Sequence, residues 1–184
     1  FFQNMLDLKS TLGCMIFISY TIVSVITRNF AYGRMLNMLK TEELKLVSEW
    51  DKTFPQSEKV DHKKVTFVNR YGITLAADLY KPKNVSGKCP AIAVSGPFGA
   101  VKEQCSGLYA QTMAERGYLT IAFDPSFTGE SGGNPRFMAS PDINTEDFMA
   151  AVDFLSVQED VDPDKIGIIG ICGWGGMALN AAAL

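Results

Sequence analysis

The segment Ile166–Ala183, IGIIGICGWGGMALNAAA, constrains this chain more than any other. An apolar, Ile-rich run reaches Gly170, a cysteine follows at 172, and glycines stand at 173, 175 and 176. The Ala- and Leu-rich stretch beyond them favours helix. Strand, sharp turn and helix is the order that lifts one side chain to the tip of a bend. Such a bend brings the backbone against itself two residues before and about two after the tip, so small residues are needed there. Gly170 meets that need. Trp174 does not, and Gly175 and Gly176 just beyond it predict a close approach displaced by one residue. The helix start beneath the tip favours a thiolate on Cys172 and an oxyanion held by the Gly173 amide. A thiol buried by packing alone is the alternative, because free cysteines are common in cores.

Upstream, from Lys64 onward, apolar runs alternate with amphipathic ones. Val65–Asn69 and Ile73–Tyr80 read as strands joined at Arg70, Tyr71 and Gly72, a hairpin with glycine at its turn. Lys81–Lys88 is a polar loop. Ala91–Val94 and Leu119–Phe123 are short apolar runs that predict buried strands. Between them Glu103–Arg116 reads as a helix ended by Gly117. A Gly-, Pro-, Ser- and Asn-rich loop covers Pro125–Ile143. Phe148, Ala151, Val152 and Leu155 share one helical face, predicting a helix over Thr145–Val157 capped by Asn144 or Thr145. Asp160–Asp164 reads as a turn and Lys165–Ile169 as the final buried strand. A hairpin followed by alternating strands and helices predicts an α/β fold, a doubly wound and mostly parallel sheet with helices on both faces.

A second stretch bears on chemistry. Val94–Gly99, VSGPFG, leaves the third strand where an elbow fold supplies its other oxyanion donor. Pro97 has no N–H, which leaves Phe98 as the donor; a plain Gly/Pro turn is the alternative. Gly129–Gly133, GESGG, matches G-x-S-x-G letter for letter. Pro125–Thr128 separate it from the preceding strand, and Asn134 and Pro135 stand where a helix should begin. Ser131 is therefore expected to shape a loop rather than attack a substrate. The glycines at 170, 173, 175 and 176 do not form G-x-G-x-x-G and follow the fifth strand, which disfavours nucleotide binding. His62, the one histidine, lies among Asp61, Lys63 and Lys64 and is expected at the solvated surface. With one histidine and four scattered cysteines, neither a metal site nor a disulfide framework is expected. No basic stripe occurs, so nucleic acid is not an expected partner.

Residues 1–37 differ from the rest. Ser10–Thr27 carries no charge and lies between Lys9 and Arg28, at the lower limit of about 18 residues for a membrane span. Arg28, Arg34 and Lys40 on its C-terminal side would leave residues 38–184 cytoplasmic, and membrane association is expected only through residues 10–27. Two other readings stand beside the anchor. One is a helix packed on the domain. The other is upstream sequence outside the native protein, since the chain begins at Phe1 while Met38 heads an ordinary soluble start.

From about Lys64 to Leu184 the chain resembles the α/β-hydrolase superfamily, in the branch of dienelactone hydrolases and related bacterial esterases. The resemblance is carried by GAVKEQ at 99–104, GLYA at 107–110, AERG at 114–117 and Phe123 with Asp124. Gly129–Gly133, Pro135 with Arg136, and Gly170–Gly173 complete it. It implies a Cys or Ser nucleophile, an oxyanion loop at Gly96–Gly99, and cofactor-free hydrolysis of a small-molecule ester or lactone. It also implies an acid and a histidine on later strands. The expectation is a hydrolase using Cys172, Phe98 and Gly173, with the chain cut after the elbow. On its own it should be inactive and poorly soluble, because the strand leading to Cys172 would present an unpaired edge. The alternative is a non-catalytic binding protein of the same fold, its site filled by Trp174.

Overall fold

The computed structural model describes residues 42–83 and 85–184; the extension over residues 1–37, with its candidate span at 10–27, lies outside them. Among the described residues no helix is long and apolar enough to cross a membrane. Five strands and three helices follow in the order β1 (Val60–Val68), β2 (Thr74–Pro82), β3 (Cys89–Ser95), α1 (Cys105–Ala114), β4 (Leu119–Phe123), α2 (Pro141–Ser156), β5 (Val161–Gly170) and α3 (Trp174–Ala183). The strands lie in the order β1-β2-β4-β3-β5. β1, β2 and β4 pair antiparallel, whereas β4, β3 and β5 run parallel.

Side chains alternate across the sheet, and each face has its own cover. Ala91, Ala93, Ile121 and Phe123 meet Phe148, Ala151 and Leu155 of α2 and Trp174 and Met177 of α3. Ile92, Val94, Ala122 and Tyr80 meet Ala110 and Ala114 of α1. This is the expected doubly wound α/β arrangement, with helices on both faces of the sheet. Burial on both faces explains why β4, LTIAF, is apolar at almost every position.

Four expectations on element boundaries need correction. β1 begins at Val60 and not Val65, because Val60 to Lys64 continue the antiparallel ladder as far as Pro82. Tertiary pairing there overrides the weak strand propensity of Asp61, Lys63 and Lys64. α2 starts a turn early, with Ser140 at its cap and Pro141 in its first turn, where a missing N–H costs nothing. Asn144 is thus inside the helix rather than capping it; its Oδ1 accepts from the Ser140 amide at 2.9 Å. Asp160–Asp164 is largely strand, since Val161 pairs with Cys89 across a register irregularity. Pro163 is tolerated because β5 has no strand on its other side among the described residues.

Candidate active site

The Gly-rich turn after β5 presents Cys172 at its tip. Cys172 has φ 61° and an exposed side chain. For a residue with a Cβ the left-handed region costs about 1–2 kcal/mol, and such strain concentrates at functional sites. The close approach sits at Gly170, where a Cβ would meet the Trp174 carbonyl carbon at 2.6 Å and Ala178 Cβ at 2.8 Å. It is not displaced to the later glycines: a Cβ at Gly175 would find only ordinary contact at 3.5 Å, and one at Gly176 nothing within 4 Å. Trp174 fits because its backbone makes the approach while its side chain turns into the core against Phe148, 6.2 Å between ring centroids. The amides of Gly175 and Gly176 bond to the carbonyls of Cys172 and Gly173 at 3.1 and 3.2 Å, opening α3 directly under the thiol.

The loop after β3 closes over this bend. Ile171 N–H donates to the Ser95 carbonyl at 3.0 Å, tying the elbow to the end of β3. A Cβ on Gly96 (φ 101°) would stand 2.5 Å from the Ile171 oxygen, so only glycine fits between the two segments. Ala100 N–H donates to the Pro97 carbonyl at 3.1 Å, making a turn with Phe98 and Gly99 at its centre. The Phe98 ring lies on Gly173, where a Cβ would be 2.7 Å from ring Cδ2. Neither the Phe98 nor the Gly173 amide has a backbone acceptor among the described residues. An exposed thiol, two uncommitted amides and a helix start therefore share one small region.

Behind the loop lies an ion cluster that sequence reasoning missed. Lys102 is fully buried; its amide donates to Asp124 Oδ1 at 2.8 Å and its Nζ to Asp124 Oδ2 at 2.9 Å. Glu130 adds its amide to Asp124 Oδ2 at 2.9 Å and accepts from Lys102 Nζ at 2.6 Å. Burial alone would pull the Lys102 pKa down; Asp124, Glu103 and Glu130 outweigh it and hold the ammonium above the ordinary lysine value. Lys64 Nζ continues the chain to Glu130 at 2.7 Å and Asp51 at 3.1 Å. The Asp51, Glu103 and Glu130 carboxylates converge closely enough to hold a cation. The Lys64 and Lys102 ammonium groups already bridge them. The signal in the sequence was the placement of Asp124 at a strand end.

Ser131 behaves as expected of a loop residue. It is buried, its Oγ donating to the Asp124 carbonyl at 2.6 Å and accepting from Ala76 N–H at 2.8 Å. His62 differs from expectation. It is not freely solvated: its Nε2 lies 2.8 Å from the buried Asp78 carboxylate, and its ring packs against Trp50 and Tyr80. It sits on β1, four strand positions from β5, which at the usual strand spacing separates the two strands by roughly 19 Å, and its row across the sheet meets β5 at Gly167, short of the elbow. It is no partner for Cys172.

Residues 71–184 match the family model of the X-Pro dipeptidyl-peptidase (S15 family). The uncharacterized protein PA2218 of Pseudomonas aeruginosa is 73% identical over 143 residues, covering 77% of this chain and 38% of that protein. Its crystal structure superposes with a TM-score of 0.76 over 78% of this chain and 45% of that one, at 72% identity. The thiohydrolase aneE of Aspergillus aculeatus is 33% identical over 126 residues, 68% of this chain and 39% of the relative. The α/β hydrolase GrgF of Penicillium sp. sh18 superposes with a TM-score of 0.63 at 27% identity, over 67% of this chain and 42% of that one. The chain thus spans about two-fifths of the length of the curated relatives named here.

Proposed function

The chain belongs to the X-Pro dipeptidyl-peptidase (S15) family of α/β hydrolases, and we propose on that premise that the intact protein hydrolyses a small-molecule ester, thioester or lactone through Cys172. The observation that carries the reading is the left-handed, exposed Cys172 above the start of α3. The thiolate sulfur attacks the carbonyl carbon, a C–S bond forms, and the carbonyl electron pair moves to oxygen. Phe98 and Gly173 amides hold that oxyanion. Its collapse breaks the bond to the leaving oxygen or sulfur, which takes the thiol proton through a base. Water then cleaves the acyl-thioester and the proton returns to sulfur. The resemblance puts the acid and histidine on later strands, for which the greater length of the relatives leaves room. The name of the Aspergillus aculeatus relative supports thioesters as one substrate class. The domain is proposed to work on the cytoplasmic side, as Arg28, Arg34 and Lys40 imply for an anchored chain.

The test compares intact protein with its Cys172→Ala variant on p-nitrophenyl and thioester acyl substrates, alongside iodoacetamide labelling resolved by mass spectrometry. Turnover should depend on Cys172, and Cys172 should be alkylated far faster than Cys89, which is buried, or Cys105. Equal turnover in the alanine variant, or slower labelling of Cys172 than of Cys105, would return the protein to the non-catalytic reading.

A further inference from the structure

A cavity of about 400 Å³ opens beside the elbow, between the turn at residues 97–101 and the segment 125–139. Phe98, Val101, Phe137, Met138 and Trp174 form its apolar wall. It adjoins the candidate site: Trp174 of its wall lies two residues after Cys172, and the ring of Phe98, also in its wall, covers Gly173. The ring centroids of Phe98 and Trp174 are 5.6 Å apart.

Phe137 is the informative residue. It is 89% exposed, the most exposed of the large apolar side chains among the described residues, and it holds φ at 59°. A bulky side chain in that backbone region, with its ring in water, is disfavoured twice over. The surroundings nevertheless fix it there. Its amide donates to the Phe127 carbonyl at 2.9 Å. The neighbouring Arg136 guanidinium donates to the Gly129 carbonyl at 2.6 Å and to the Ser131 carbonyl. Arg136 therefore fastens this segment to the 129–131 turn. Phe98, half exposed at 51%, faces the same cavity. Two aromatic rings held out of the core around one apolar recess are what an apolar ligand requires.

We propose that this cavity is the acyl subsite and takes a medium-length or aryl apolar acyl group, of the hexanoyl or phenylacetyl kind. The inference rests on Cys172 as nucleophile: with the carbonyl at its sulfur and the oxyanion at the Phe98 amide, the acyl chain runs onto Phe98, Trp174 and Phe137. The cavity is near the lower end of the range for ligand pockets, so long fatty chains should not fit better than hexanoyl.

The experiment uses the intact protein with p-nitrophenyl acetate, hexanoate, phenylacetate and palmitate. Hexanoate or phenylacetate should exceed acetate in kcat/KM at least tenfold, as methylene burial in a pocket allows. In Phe137→Ala that preference ratio should fall at least fivefold, and Phe137→Leu should restore part of it. A second measurement does not need turnover: hexanoic acid, but not acetic acid, should slow iodoacetamide labelling of Cys172, and the protection should be lost in Phe137→Ala. Turnover with an acetate preference, or a ratio untouched by Phe137→Ala, would overturn the acyl subsite and leave the nucleophile standing. Absence of Cys172-dependent turnover would overturn the nucleophile, and the protection assay would then decide the cavity alone.

Discussion

Cys172 carries a Cβ at φ 61° with its side chain in solvent. The backbone strain of that arrangement can be isolated by comparing Cys172→Gly with Cys172→Ala. Both remove the thiol, and neither loses much burial because the side chain is exposed. Alanine keeps the left-handed cost of about 1–2 kcal/mol, which glycine escapes. Glycine loses more backbone entropy on folding, about 0.5–1 kcal/mol relative to alanine. At the midpoints of the two ranges the balance favours the glycine variant by about 0.75 kcal/mol. For a domain of this size that is a rise of roughly 1–4 °C in Tm. Urea unfolding followed by circular dichroism reads the difference as a shift in midpoint at constant slope. An alanine variant equal to or more stable than the glycine variant would mean the tip is not left-handed, and the elbow would lose its physical basis.

Four further outcomes follow from the structure. Gly170→Ala should destabilise by about 1–3 kcal/mol, since the new Cβ meets Trp174 backbone that cannot yield. Gly176→Ala, with open space and a helical setting, should stabilise by about 0.5–1 kcal/mol, and thermal unfolding of the pair checks both. Ser131→Ala should cost about 1–3 kcal/mol by stranding the buried Ala76 amide, while active protein, counted by Cys172 labelling, keeps its turnover per site. Asp51 has its carboxyl at about 2 against an ordinary 3.8, because hydrogen bonds from Lys52 and Lys64 outweigh the upward push of burial. Its folded pKa lies below the unfolded one, so its contribution is complete above pH 3.8 and disappears as pH falls through about 2. Asp51→Asn should therefore lose less stability than the unmodified protein across that interval, measured by acid titration of Trp fluorescence.

Much of the site was legible in the residues because short-range chemistry dictated it. An Ile-rich run, Gly170, Cys172 and a helix former in that order admit few conformations, and Gly96 and Pro97 marked the loop that meets them. Periodicity found the buried strands β3 and β4 and the apolar face of α2, since burial on defined faces is what creates those patterns. G-x-S-x-G at residues 129–133 was also rightly set aside on local grounds, because no strand–turn–helix surrounds it.

The α/β order of elements and the identity of the side chain at the bend can thus be read from the residues alone. The three-dimensional arrangement was needed to show that Gly170, and not Gly175, takes the close approach, that Lys102 and Asp124 pair in the interior, and that His62 is bonded to Asp78 at the far edge. The Gly170 approach is steric and depends on the path the backbone takes into α3. The Lys102–Asp124 and His62–Asp78 contacts join groups 22 and 16 residues apart, and their energies come from desolvation and polar pairing between partners that no local window contains.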